Sequence, residues 1–155
     1  MLNIRTRGLV CPASVLVALL TVSGCGDASG VGTTFPVSGT ITVNGQPLIA
    51  QTAMVLFKPD AARGNVSRLD PAGTLDGEGH YTLSTAGKTG APPGWYKVVV
   101  TATTTETSVP SGKRHARPRP KSLVAAKYGQ ATTTALTVEV VESPAPGAYD
   151  LKLTQ

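Results

Sequence analysis

The sequence predicts an all-β fold, an antiparallel Greek-key β-sandwich of about seven strands. Three observations carry that prediction. Residues 37–43, 95–103 and 135–141 alternate apolar and polar side chains, the period of a strand with one face buried. Seventeen glycines and twelve prolines in 155 residues supply turn signals at short intervals, which suits many short strands rather than a bundle. Spacing compatible with a helix is confined to 123–128, enough for a single turn.

Each element follows in order. Val37, Gly39, Ile41 and Val43 alternate with Ser38, Thr40 and Thr42, and Asn44-Gly45 then gives the strongest short hairpin signal. Residues 53–58 form a second strand, with Val55 and Phe57 on one face and Met54 and Leu56 on the other; Pro59-Asp60 stops it, and 60–71 reads as a loop. Gly73-Thr74-Leu75-Asp76 enters a tight turn at Gly77-Glu78-Gly79, and 80–85 returns as a strand. After a Gly- and Pro-rich loop at 86–93, residues 95–103 make the clearest strand. Tyr96, Val98, Val100 and Ala102 share its inner face, and Trp95 is half exposed at its start. A long loop is expected over 104–127, then strands at 135–141 and 149–153.

Charge is unevenly distributed. The net +5 includes Arg5 and Arg7 at the N-terminus and six positives between Lys113 and Lys127. Setting those aside leaves six positive against nine acidic residues, about −3, which excludes a generally basic, nucleic-acid-binding body.

The N-terminus reads as an address. Residues 1–8 carry two arginines and no acid, and residues 9–22 are an apolar run of 14. A bilayer span takes about 20 residues, so the run fits the core of an export signal. It ends in Val22-Ser23-Gly24-Cys25, which resembles the lipobox of bacterial lipoproteins: an aliphatic residue, two small ones, then cysteine. The resemblance implies that a diacylglyceryl group joins the Cys25 thiol and that a signal peptidase removes 1–24. No cofactor is expected beyond that covalent lipid. Two or three acyl chains anchor far more firmly than one. Once Cys11 leaves with the signal, Cys25 has no disulfide partner, and acylation caps its thiol. Gly26 rather than an aspartate follows the cysteine, which points to the outer membrane of the envelope. Residues 25–34, small and Gly-rich, read as a flexible tether to a domain over 35–155.

Further phrases carry a second resemblance: Val37-Ser38-Gly39-Thr40-Ile41-Thr42-Val43-Asn44-Gly45-Gln46-Pro47-Leu48, Val55-Leu56-Phe57-Lys58-Pro59, Asp76-Gly77-Glu78-Gly79-His80-Tyr81 and Pro93-Gly94-Trp95-Tyr96-Lys97-Val98. Together they resemble the carboxypeptidase-regulatory-like domain, a transthyretin-like (prealbumin) β-sandwich. The resemblance implies architecture and says little of activity. Gly39 is expected where a bulky residue would clash with the facing sheet. Hydrolases of the transthyretin family end in Tyr-Arg-Gly-Ser, whereas this chain ends Leu151-Lys152-Leu153-Thr154-Gln155, so their activity does not carry over. Nor does the Lys–Asn crosslink of related adhesin repeats, because Asn3, Asn44 and Asn65 all lie outside the last strand.

A catalytic or metal centre is not expected. His80 and His115 lack Cys or carboxylate neighbours at ligand spacing; Asp76 and Glu78 read as turn residues before calcium ligands. The unusual feature is Lys113-Arg114-His115-Ala116-Arg117-Pro118-Arg119-Pro120-Lys121, an extended cationic run. The expectation is a non-enzymatic, membrane-anchored envelope protein with a structural or binding domain. The alternative is a carbohydrate- or polyanion-binding protein whose basic loop, with Lys113, Arg114, Arg117, Arg119 and Lys121, holds an envelope polymer. Partners are therefore membrane lipid and an envelope polymer or protein, with no nucleic acid.

Overall fold

The computed structural model describes residues 30–106 and 119–155. They form two facing β-sheets of four and seven strands, with no α-helix among the described residues.

The backbone of the large sheet is β3 (Thr52–Pro59) paired antiparallel with β8 (Gly94–Glu106), from Thr52 opposite Thr103 to Pro59 opposite Tyr96. Both runs are rich in β-branched and aromatic residues, which pack well on a pleated surface. The period-2 reading holds over most of both strands: Val55, Phe57, Tyr96, Val98 and Val100 are fully buried, while Met54 is 44% exposed on the other face; Val99, also on that other face, breaks the pattern by being buried. Trp95 is half-buried. Each such large inward side chain contributes about 1.5–3 kcal/mol by leaving water. β10 (Thr137–Val140) flanks the first half of β8, burying Val138 and Val140. β4 (Ala72–Thr74), β6 (Ser84–Thr85) and β7 (Lys88–Thr89) continue the sheet beyond β3.

The small sheet is built on β1 (Ser38–Val43), which turns into β2 (Gln46–Pro47) through Asn44 and Gly45, both at positive φ (51° and 82°). That is the twist-matched hairpin the Asn-Gly pair predicts. β5 (His80–Thr82) pairs antiparallel with β1, and β11 (Leu151–Leu153) pairs with it in parallel, Ile41 opposite Leu151. The strictly antiparallel expectation is corrected here. After β10 the chain crosses from one sheet to the other and lays its last strand along β1 in the same direction. The junction is locked at 2.9 Å by the Thr40 amide donating to Asp150 Oδ1 and at 2.7 Å by the Tyr81 hydroxyl donating to the Tyr149 carbonyl. Gly39 matters here: a Cβ would strike that same Tyr149 carbonyl. The crowding comes from the lead-in to the neighbouring strand, not from the facing sheet as expected. Inner side chains of both sheets meet in one core, including Ile41, Tyr81, Leu151 and Leu153 from the small sheet.

The strand expected over 80–85 is two strands in different sheets. β5 belongs to the small sheet and β6 to the large one, with the fully buried Leu83 at the crossing. Its amide donates to the Val37 carbonyl and its carbonyl accepts from Gly90 at 2.7 Å. The expected loop over 60–71 holds a 3-10 turn, Ala61–Arg63, capped by the Asp60 side chain. The expected loop over 104–127 is corrected too. β8 runs on to Glu106, β9 (Arg119–Ser122) returns antiparallel beside it, and the helical turn expected over 123–128 appears as the 3-10 segment Ala126–Gly129. Of the segment read as a tether, residues 30–34 are described, and they lie on the domain: Val31 is 6% exposed and Thr34 Oγ1 donates to the Thr89 carbonyl.

Candidate functional site

Two segments carry the expected sites. Val22, Ser23, Gly24 and Cys25 lie outside the described residues, as do Lys113, Arg114, His115 and Arg117. Arg119 and Lys121 are on β9, which joins the outer half of β8 in a two-stranded ribbon.

The ribbon grows out of the core by degrees. Ala102 is buried, Thr103 and Thr104 are half-buried, and Thr105 is exposed. Past Thr52 the β3 partner ends, and the Thr105 amide is held by Gln51 Oε1 at 2.8 Å. On the other side, Thr104 faces Lys121, Thr105 faces Pro120 and Glu106 faces Arg119. Pro120 lacks an N–H, which an edge strand tolerates. The root is fixed by the Leu123 amide donating to the Ala102 carbonyl at 2.9 Å and by the Ser122 hydroxyl donating to the Val124 carbonyl at 2.7 Å. Below the root, Lys127 Nζ donates to Thr154 Oγ1 and lies 4.9 Å from the centre of the Tyr128 ring. The register places Arg119 and Lys121 on a two-stranded ribbon that extends from the edge of the large sheet. It suits contact with a charged surface or an extended anionic chain.

The second cluster is the turn before β5. Asp76 Oδ1 accepts from the Glu78 amide at 2.8 Å and the His80 amide at 2.9 Å. His80, exposed, meets Thr40 Oγ1 through Nδ1 at 3.0 Å, and its Nε2 lies 3.8 Å from Glu78 Oε2. Hydroxyl, imidazole and carboxylate thus fall in the order of a relay, but Glu78 is 84% exposed at a distance too long for a hydrogen bond. Asp76 is occupied as a backbone cap. Beside it Thr74, Leu75 and Thr82 complete an open depression of about 290 Å³. Among the described residues no three His, Cys, Asp or Glu side chains gather at a metal-binding spacing.

The His80 and Glu78 amides hold the Asp76 carboxyl below its ordinary value of 3.8. A carboxyl depressed by folding adds stability that is complete above its unfolded value and fades as pH falls below it. Asp76→Asn is therefore expected to flatten the acid side of the stability profile. Urea midpoints at about pH 6 and about pH 3 should differ less in the variant than in the wild type; an unchanged difference overturns the assignment.

The sequence reading missed a third cluster, around Trp95. The Arg63 guanidinium lies 4.4 Å from the indole centroid, and its Nε sits 3.7 Å from Asp60 Oδ2. The Asn65 side-chain amide, in a residue only 8% exposed, donates to the Trp95 carbonyl at 2.8 Å. An arginine thus stacks on one face of the indole. The signal lay in the 60–71 loop, where Asp, Arg and Asn had no periodicity to mark them.

Among the described residues no helix is long and apolar enough to cross a membrane. The chain matches no family model, no curated protein and no solved structure.

Proposed function

We propose that this chain is a lipid-anchored protein of the cell envelope, exported by residues 1–24 and held at the membrane by acyl chains on Cys25. Its folded part acts as a non-catalytic structural or binding module. The observation that carries the reading is the run of 14 apolar residues ending at Val22-Ser23-Gly24-Cys25. The two-sheet body fits the proposed transthyretin-like, carboxypeptidase-regulatory-like architecture in being all-β with a single core, and the Greek-key order remains part of the proposal. Metabolic labelling with radioactive palmitate tests it. Incorporation into a chain that has lost Met1–Gly24 supports the anchor, and an unlabelled chain that keeps Met1 overturns it.

A second reading, polyanion binding, is favoured by one observation: Arg119 and Lys121 are borne on a ribbon that continues the central strand of the large sheet. A stem rooted in the core presents cations at little entropic cost. Retention on heparin resin that falls at least about tenfold on deletion of 113–121, and weakens with salt, is expected if clustered phosphate-like charges are the ligand. Retention unaffected by the deletion overturns it.

A further inference from the structure

We infer that the β7 edge of the large sheet is the side of the domain turned toward the bilayer, and that the β8–β9 ribbon is held away from it. This rests on Cys25 bearing the lipid, and it adds what that reading lacks: which surface faces headgroups and which is free for another partner.

The argument begins with the length of the leash. A tether running from 25 to 34 would let the domain tumble freely. The chain instead joins the fold at Val31, which is 6% exposed. Lys88 Nζ donates to the Gly32 carbonyl at 3.2 Å, and Thr34 Oγ1 donates to the Thr89 carbonyl at 3.1 Å. Phe35 and Ala91 exchange two backbone hydrogen bonds at 2.9 and 3.0 Å. Residues 31–35 therefore form a clasp along β7 and the residues after it. Only six Cα-to-Cα steps separate Cys25 from Val31. Fully extended, they reach about 21 Å.

The position of the ribbon follows from the registers. Thr89 faces Ser84, Ser84 faces Ala72, Ala72 faces Leu56 and Leu56 faces Val99. One row thus crosses the sheet from β7 to β8 in four interstrand steps, about 19 Å. Thr105 lies six residues farther along β8, about 20 Å more, so the two corners are about 28 Å apart. Anchoring at the Thr89 corner keeps that corner within reach of the headgroups. The Thr105 corner takes the far position. The partner of the cationic ribbon is then an anionic polymer or surface other than the bilayer that holds the protein.

Single-cysteine labels test this on the mature lipoprotein, whose Cys25 sulfur is already acylated. Thr89→Cys and Thr105→Cys, both at exposed positions, are labelled with a donor dye. The proteins are reconstituted in phosphatidylcholine–phosphatidylglycerol vesicles with a headgroup acceptor. Energy transfer at least about twofold stronger from position 89 is expected for corners that far apart. Equal or stronger transfer from position 105 overturns the inference and assigns the ribbon to the anchoring membrane. Val31→Asp should undo the clasp, lengthen the leash by about 14 Å and weaken transfer from position 89; unchanged transfer counts against the clasp. Failure to float with vesicles and to take up palmitate brings down the anchor itself, whereas flotation with the wrong label order brings down only the orientation.

Discussion

Cys25→Ala is expected to move the protein from the membrane pellet to the soluble fraction and to abolish palmitate incorporation. In the proposed anchor the sulfur is the attachment atom, and alanine offers no nucleophile in its place. Each buried methylene of an acyl chain adds about 0.8 kcal/mol, and one chain alone gives only marginal, reversible binding. Losing every chain leaves surface charge, which salt screens, and, in any molecule not cut before residue 25, the apolar run 9–22. Fractionation at about 0.15 M and about 1 M salt separates the two contributions. A Cys25→Ala protein that has lost residues 1–24 and still pellets at high salt would show that something other than the lipid holds it.

Phe57→Ala is expected to cost about 3–5 kcal/mol, a large part of the stability of a domain this size. Phe57 is fully buried and lies 5.7 Å from the Tyr96 ring and 6.5 Å from the Tyr81 ring, measured between centroids. The Tyr81 contact bridges the sheets, since Phe57 and Tyr96 belong to neighbouring strands of the large sheet and Tyr81 to β5 of the small one. Truncation removes the apolar burial and leaves a cavity that two anchored tyrosines cannot fill: one hydroxyl is tied to Pro92 and the other to Tyr149. Urea denaturation should show a lower midpoint with an unchanged slope. Met54→Ala, three residues earlier on the outer face, serves as the control and should cost less than about 1 kcal/mol. Equal losses at the two positions would mean that the aromatic cluster is not where the sheets are joined.

The strands with clear alternation were legible in the sequence because a buried face imposes its period whatever the partner. β1, β3, β8 and β10 came out within a few residues, and Asn44-Gly45 declared its own turn. The short strands were not legible. β4, β6, β7 and β9 have two to four residues each, too few for a period to show, and they exist because a longer neighbour offers free backbone groups. The parallel pairing of β11 was invisible for a related reason: Leu151-Lys152-Leu153 alternates identically in either direction. The split at Leu83 depends on Thr82 approaching Gly73, where a Cβ would strike the Thr82 carbonyl, and no local pattern records that. Of the candidate sites, the proposed lipobox is a string in the sequence alone and lies outside the described residues. The cations were legible as a run. The stem beneath Arg119 and Lys121 was hidden by Pro118 and Pro120, which read as a loop although an edge strand accepts one of them.

The parallel contact of β1 with β11 also has a temporal consequence. A polypeptide is made and threaded from its first residue onward, and β1 lacks this neighbour until Leu151 has emerged, 110 positions after Ile41. Closure over so long a separation is slow. The small sheet therefore cannot be completed around β1 until residues 151–153 have been made.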